Sequence, residues 1–371
     1  MSLRILYLST SYIPYRRADS VHVMKMCNAL AFNGFDVTLV AKKSSKYREL
    51  STRNDYEFYG VENGFKIRKV WRPTFKGGDL IFTILCLSYT FLRFFKTDII
   101  YSRSNSLALL TAFLNIPLVY EIHGLPNDSR GQRIHKRIMG LKNLRTIVVI
   151  SEALKQDILV LNPEILNKVI VAHDGADIID HPHSGESLIK IQVGYIGHLY
   201  SGRGIELILE CAKNLPDFDF NIIGGEEVHI DYFKKRYQIP NVIFHGFVSP
   251  GELNLLYGKQ DILLMPYQKQ VGIASGTLDT SKWMSPMKMF EYMASGKAII
   301  SSEISVLKEV LTHEHNAILL PPDQIDKWID EIKILALDSK KREFLGRNAL
   351  NDLKMSYTWN SRAKKVMSFR S

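Results

Sequence analysis

Short apolar runs rich in β-branched residues alternate with helix-like segments along the whole of this 371-residue chain. "RILYL" precedes a helical pattern over residues 21–32, and "DVTLVA" follows it. "DIIY", a helix from about Ser104 and "LVYEIHG" repeat the rhythm. "TIVVI" leads to Ser151, a good N-cap for the helix "EALKQDIL", and "KVIVAHDG" closes the first half. A hydrophilic stretch, "ADIIDHPHSGES", has the composition of a linker. The rhythm then restarts with the strand "IQVGYIG", a helix from Gly204 to about Lys213, and the strands "DFNIIGG", "NVIFHGF" and "DILLMPY". Strands spaced by helices of this length pair in parallel through right-handed crossovers. The restart predicts two such sheets: an α/β chain of two doubly wound, Rossmann-like domains over 1–178 and 188–355, with a tail over 356–371 forming an amphipathic helix. Sheets of this kind bind ligands at the carboxyl ends of their strands.

Composition fits a globular protein, with 46% hydrophobic and 23% charged residues. Cys27, Cys86 and Cys211 have neither metal spacing nor a pairable framework, which fits buried thiols in a reducing compartment. The first apolar run, 5–8, is too short for a signal peptide, so a cytoplasmic location is expected. The formal charge of +10 is uneven: residues 1–180 hold 25 Lys and Arg against 16 Asp and Glu. Basic clusters lie at Lys42, Lys43, Lys46 and Arg48, and again from Arg130 to Arg145. A basic half points to an anionic partner, an acidic membrane surface or a polyanionic substrate, against the plainer reading of a solvated face. A nucleic-acid partner is not expected, because aromatics are not interleaved with the cations and no reader motif is present. "LIFTILCLSYTFL", residues 80–92, carries no charge but is shorter than the roughly 20 residues of a spanning helix. It reads as a helix packed on a sheet, or as one lying shallowly in a membrane interface.

The segment "SPMKMFEYMASGKAII", residues 285–300, contains a helix with Ser285 as N-cap, Pro286 in the first helical position and Gly296 as its stop. Lys288 then falls in the first turn, where the helix dipole disfavours a cation. An i,i+3 pair with Glu291 is the bland explanation and is worth only a few tenths of a kcal/mol. A bound anion is the sharper one, since a helix N-terminus and a lysine both attract phosphate. "VGYIGHLYSGRGIELIL" supplies a glycine-rich turn through Gly194, Gly197, Gly202 and Gly204, with Arg203 at a second helix start. Its spacing is not the G-x-G-x-x-G of nicotinamide binding. One diphosphate between Arg203 and Lys288 explains both cations. His123 follows the strand end of "VYEIHG", and Arg103 holds the equivalent place after "DIIY". No metal site is expected: Asp217 and Asp219 fall at the amino end of a strand, away from ligand positions.

Together these segments resemble the retaining GT-B glycosyltransferases of family four, in the Ser-Pro-x-Lys-x-x-Glu subgroup, over nearly the whole chain. The resemblance implies two facing domains with a nucleotide-sugar donor in the second and an acceptor held mainly by the first. It implies that Arg203 and Lys288 bind the donor diphosphate, that Glu291 binds the ribose, and that His123 lies by the donor sugar. Gly197, His198 and Gly225 belong to the implied donor site, where His198 stands in place of an arginine usual in the family. Trp283 replaces a second family glutamate, so Ser275, Gly276, Thr277 or Asp279 is expected to take over its contact. The implied reaction moves a sugar from a UDP- or GDP-linked donor to a hydroxyl, with retention and without a metal or further cofactor. The acceptor would be a lipid-linked sugar or polysaccharide at the inner membrane face. A sugar-nucleotide epimerase and a catalytically silent scaffold are the alternatives.

Overall fold

The computed structural model describes residues 2–44, 54–179, 190–272 and 279–370. The chain forms two compact units: residues 1–173 with 359–371, and residues 174–358.

In the first unit seven parallel strands lie in the order β3-β2-β1-β4-β5-β6-β7. They are β1 (Arg4–Ile13), β2 (Asp36–Lys43), β3 (Lys66–Val70), β4 (Ile99–Ser102), β5 (Leu118–Ile122), β6 (Leu144–Val149) and β7 (Val169–Val171). The helices are α1 (Ala18–Phe32), α2 (Asp55–Tyr59), α3 (Gly78–Leu92), α4 (Asn105–Leu110), α5 (Ser129–Met139) and α6 (Glu152–Leu161). The central strands β4 and β5 are buried at every position. That explains their unbroken apolar runs, and it leaves Glu121 as a charge in an otherwise uncharged interior strand.

The second unit repeats the plan with six parallel strands in the order β10-β9-β8-β11-β12-β13. They are β8 (Gln192–Ile196), β9 (Asp219–Ile223), β10 (Val242–Gly246), β11 (Ile262–Met265), β12 (Ala298–Ser302) and β13 (Ile318–Leu320). Its helices are α7 (Ile205–Asn214), α8 (Glu227–Arg236), α9 (Leu253–Gly258), α10 (Met287–Ser295), α11 (Ile325–Leu337) and α12 (Ser339–Asp352). The tail helix α13 (Trp359–Val366) belongs to the first unit.

The helix over the Lys288 motif differs at its start from the sequence expectation. α10 begins at Met287, with Pro286 as the N-cap residue and no side-chain cap. Ser285 does not cap it, because its hydroxyl accepts the Asp174 backbone N–H at 2.8 Å instead. The stop is as expected: Gly296 takes a left-handed φ of 64°. Met289, Phe290, Tyr292 and Met293 fix α10 to the core on one face of the sheet. In each unit the strand order reverses once, between β1 and β4 and between β8 and β11. Doubly wound sheets place their ligand sites at this reversal, beyond the carboxyl ends of the strands.

Candidate active site

At the β8/β11 reversal three elements converge. β8 leads into Gly197, whose N–H donates to the Ile223 carbonyl at 2.9 Å. β11 runs on to Tyr267, and α10 delivers Lys288. The buried Tyr292 hydroxyl accepts the Ile196 N–H at 2.8 Å, which ties α10 to the last residue of β8. Lys288 Nζ therefore stands 3.9 Å from the Tyr195 ring centre and 5.2 Å from that of Tyr267. A Cβ built on Gly197 would lie 2.7 Å from Nζ, so only a glycine, here at φ 151°, lets the lysine approach the turn.

Lys288 Nζ is buried and has no hydrogen-bond partner among the described residues. The i,i+3 pair with Glu291 is not made as a hydrogen bond. Glu291 instead accepts the hydroxyl of buried Tyr257 at 2.8 Å. Burial, followed by the Arg203 charge, pushes the Lys288 pKa well below its ordinary value, against the pull of Glu291. Arg203 is held nearby. Its Nη1 donates to the Tyr267 hydroxyl at 2.8 Å and its Nη2 to the Gly272 carbonyl at 3.3 Å. Its Nε is buried without a partner among the described residues. Two cations of like sign thus share one pocket of tyrosine faces, each with an unmet donor. An unpaired buried cation is costly unless an anion completes it.

The other residues predicted for this site lie around the same turn. The Tyr195 hydroxyl donates to the His198 carbonyl at 2.6 Å, and the His198 ring stacks on Tyr200 at 4.8 Å. Gly224 abuts Gly197, and Gly225 takes φ 87° against Leu199. Gly204, at φ 78°, is the N-cap of α7 and touches the Pro266 carbonyl, where a Cβ would collide at 1.9 Å. Asp279 closes its own loop by accepting the Val271 and Ser281 N–H groups, both at 2.9 Å. Ser275, Gly276 and Thr277 lie outside the described residues.

The first unit places a second charged centre at its own reversal. Glu121, near the end of β5, is wholly buried. Its Oε1 lies 2.9 Å from His22 Nε2, 2.5 Å from His123 Nε2, 3.2 Å from Arg362 Nη2 and 3.7 Å from Arg103 Nε. The other oxygen accepts the Tyr101 hydroxyl. Burial acts to raise the Glu121 pKa, but Arg362, His22 and the His123 hydrogen bond outweigh it and hold it well below the usual carboxylate range. His123 is placed by this carboxylate. Its Nδ1 lies 3.3 Å from Arg103 Nη2, so the neutral ring carries its proton on Nε2 and accepts at Nδ1. Burial and the Arg103 charge push the His123 pKa down to about 4.

His22, Glu121 and His123 also offer ligand atoms within 4.8 Å of one another. Two guanidinium groups already face the same carboxylate oxygen, and their field opposes a divalent cation there. Sequence reasoning reached His123 and Arg103 but missed Glu121, His22 and Arg362. The available signal was Glu121 itself, a charge inside "LVYEIHG", which must find partners if it is buried.

Two parallel doubly wound sheets, each a Rossmann-like unit, give the chain the GT-B fold of glycosyltransferases. The chain belongs to the glycosyltransferases: residues 20–179 match "Glycosyltransferase Family 4" and residues 179–352 match "Glycosyl transferases group 1". It is 24% identical to the uncharacterized glycosyltransferase MJ1069 of Methanocaldococcus jannaschii, over 98% of this chain and 97% of that one. Among solved structures it resembles HepE of Anabaena in complex with UDP and glucose. That likeness has a TM-score of 0.72 and 14% identity, and covers 99% of this chain and 98% of that one. It also resembles WaaG, a glycosyltransferase involved in lipopolysaccharide biosynthesis. Here the TM-score is 0.67 and the identity 10%, over 98% and 99% of the two chains.

Proposed function

We propose that this glycosyltransferase moves a sugar from a UDP- or GDP-linked donor to a hydroxyl of a lipid-linked or polysaccharide acceptor, with retention and without a metal. The single observation that carries this reading is the buried Lys288 Nζ with no hydrogen-bond partner among the described residues, beside an Arg203 with an unmet Nε–H. A diphosphate supplies what both lack. As the glycosidic bond breaks, negative charge grows on the leaving diphosphate, and the two cations with the starts of α7 and α10 stabilise it. Preorganised charge of this kind is commonly the largest catalytic contribution. Gly197, His198 and Gly225 line the phosphate side, and Glu291 takes ribose hydroxyls one turn beyond Lys288. The solved relative HepE holds UDP and glucose on the same fold, which supports a nucleotide-linked donor.

His123 orients the transferred sugar. Its bond to Arg103 is the longer of its two, so Nδ1 is the atom that can exchange that partner for a sugar hydroxyl. Glu121, the carboxylate beside it, is buried and surrounded by Arg362, His22, His123 and Tyr101, which counts against a role as covalent nucleophile. Attack from the leaving-group face, with the departing phosphate taking the acceptor's proton, needs no such nucleophile. The basic first half supports an acceptor at an anionic membrane face, and the likeness to WaaG, involved in lipopolysaccharide biosynthesis, supports a saccharide acceptor.

Thermal unfolding with UDP, GDP, ADP and CMP, each with and without manganese, tests the reading. A diphosphate at ~100 times its dissociation constant adds about 2.7 kcal/mol of stability. The expected result is stabilisation by one nucleoside diphosphate without metal, lost in Lys288→Ala. No stabilisation by any of them would favour a silent scaffold. Turnover of the donor sugar without an acceptor would favour an epimerase.

A further inference from the structure

A helix that covers a sheet normally turns its polar face outward. α3 does not. Its inward side is Phe82, Cys86 and Thr90, all buried. Its outward side carries Leu80, Ile84, Leu85, Phe91 and Leu92, and Leu80, Phe91 and Leu92 are 65%, 64% and 80% exposed. No charged residue lies between Asp79 and Arg93. The apolar surface continues beyond the helix to Phe95, which is 88% exposed, and before it to exposed Trp71 and Phe75. α4 packs beside α3, and exposed Phe113 follows it.

The charges around this surface are predominantly positive, although Lys66 pairs with Asp36 and Lys69 with Asp55. Arg72 and Lys76 precede the helix, and Arg93 and Lys96 follow it. Residues 66–96 hold seven Lys and Arg against the single Asp79. That aspartate is itself held by Arg72 and Lys42, each at 2.8 Å. This surface has an uncharged centre, aromatic margins and cations at its ends, which matches a bilayer interface with acidic headgroups. At fifteen residues α3 is about 22 Å long by the helical rise, too short to span and well suited to lying flat. No helix among the described residues is long and apolar enough to cross a membrane.

We propose that the outer face of α3, with Trp71 and Phe95 at its margins, docks the first unit into the headgroup layer of an anionic membrane. The inference deepens the lipid-linked acceptor reading and rests on it for its purpose, since it brings the enzyme to the layer in which such an acceptor is anchored.

Co-sedimentation of the full chain with phosphatidylcholine vesicles, with and without about 30% phosphatidylglycerol, tests it at low and high salt. The protein is expected to bind the anionic vesicles and to leave the neutral ones largely unoccupied. The variant Phe91→Ser/Leu92→Ser/Phe95→Ser should lose about thirtyfold or more in partitioning at either salt. Arg93→Glu/Lys96→Glu should lose at least tenfold at low salt and much less at high salt. All three positions of the triple variant are exposed, so its melting temperature and its stabilisation by a nucleoside diphosphate should be unchanged. No binding of the unaltered chain to anionic vesicles at low salt overturns the proposal, as does equal binding by the triple variant. A self-association of the unaltered chain that the triple variant abolishes, with vesicle binding intact, assigns the face to a second copy and overturns it too. Nucleotide stabilisation that persists without vesicle binding rejects the docking surface alone and leaves the transferase reading standing.

Discussion

Lys288 and Glu121 occupy matching places in two sheets built on one plan, and their surroundings are opposite. Each is a buried ionisable group on the carboxyl-end side of its sheet, Glu121 near the end of β5 and Lys288 in the first turn of α10, close to the reversal of strand order. Glu121 has two guanidinium groups, two imidazoles and a tyrosine hydroxyl around its two oxygens. Lys288 has aromatic faces and no hydrogen bond among the described residues. The same topology thus carries one cluster in which the central charge has its full set of partners and one in which it does not. A complete cluster holds side chains in place, while an incomplete one is stable only at a cost that a ligand can recover.

Substitutions can break this contrast, and the largest effect belongs to the complete cluster. Glu121→Ala leaves Arg362 buried without its counter-charge and should cost about 3–5 kcal/mol in urea unfolding at pH 7. Adding Arg362→Met should recover part of that loss, because the two residues act as a pair. A loss below about 1 kcal/mol for Glu121→Ala would mean that the cluster is not what holds the site. Lys288→Met should behave in the opposite way. Turnover should fall on the order of 10²–10³, while the ligand-free protein keeps its stability or gains up to about 1 kcal/mol. A clear loss of stability would show that the lysine has a structural task.

Gly197→Ala sharpens the same contrast at smaller cost. Its new Cβ meets the end of the Lys288 side chain, at a φ that other residues rarely adopt. Folding should lose about 1–2 kcal/mol, and the nucleotide-induced shift in melting temperature should shrink with it. The last effect is read from pH and is small over any one pH unit. His123 is held to a pKa of about 4, below the ordinary histidine value, and so is His135, which burial pushes down beside the Tyr120 hydroxyl. A lowered histidine pKa means that the unfolded chain binds more protons between about pH 6.5 and 4. The stability these residues contribute is therefore present above pH 6.5 and is lost as the pH falls toward 4. Each histidine adds at most about 1.4 kcal/mol per pH unit to that slope, and His123→Phe should remove one share. An unchanged slope in the variant would place the proton elsewhere.

Much of this was legible in residues that act locally. The two-sheet plan followed from unbroken apolar runs, because strands buried on both faces leave no room for alternation. Gly197, Gly204, Arg203 and Lys288 stood out because a glycine turn and a cation at a helix start each conflict with local preference. Ser285 was misread for the converse reason. By local rules it is an N-cap, but the Asp174 N–H claims its hydroxyl from a distant part of the sequence. Glu121 was visible as an anomaly, while its partners were not. His22 comes from α1, Arg103 from the end of β4 and Arg362 from α13.

The sequence by itself determined the class: strand–helix rhythm, chain length and glycine placement permit few folds other than paired doubly wound sheets, since each follows from short-range sterics and burial. Only the tertiary structure decided which charges are satisfied. Whether Lys288 pairs with Glu291 or stands alone depends on Tyr257 reaching that carboxylate and on two tyrosine rings enclosing the ammonium. Electrostatic free energy at a buried site is set by the few ångströms around it, and those are filled by residues that the chain order keeps apart.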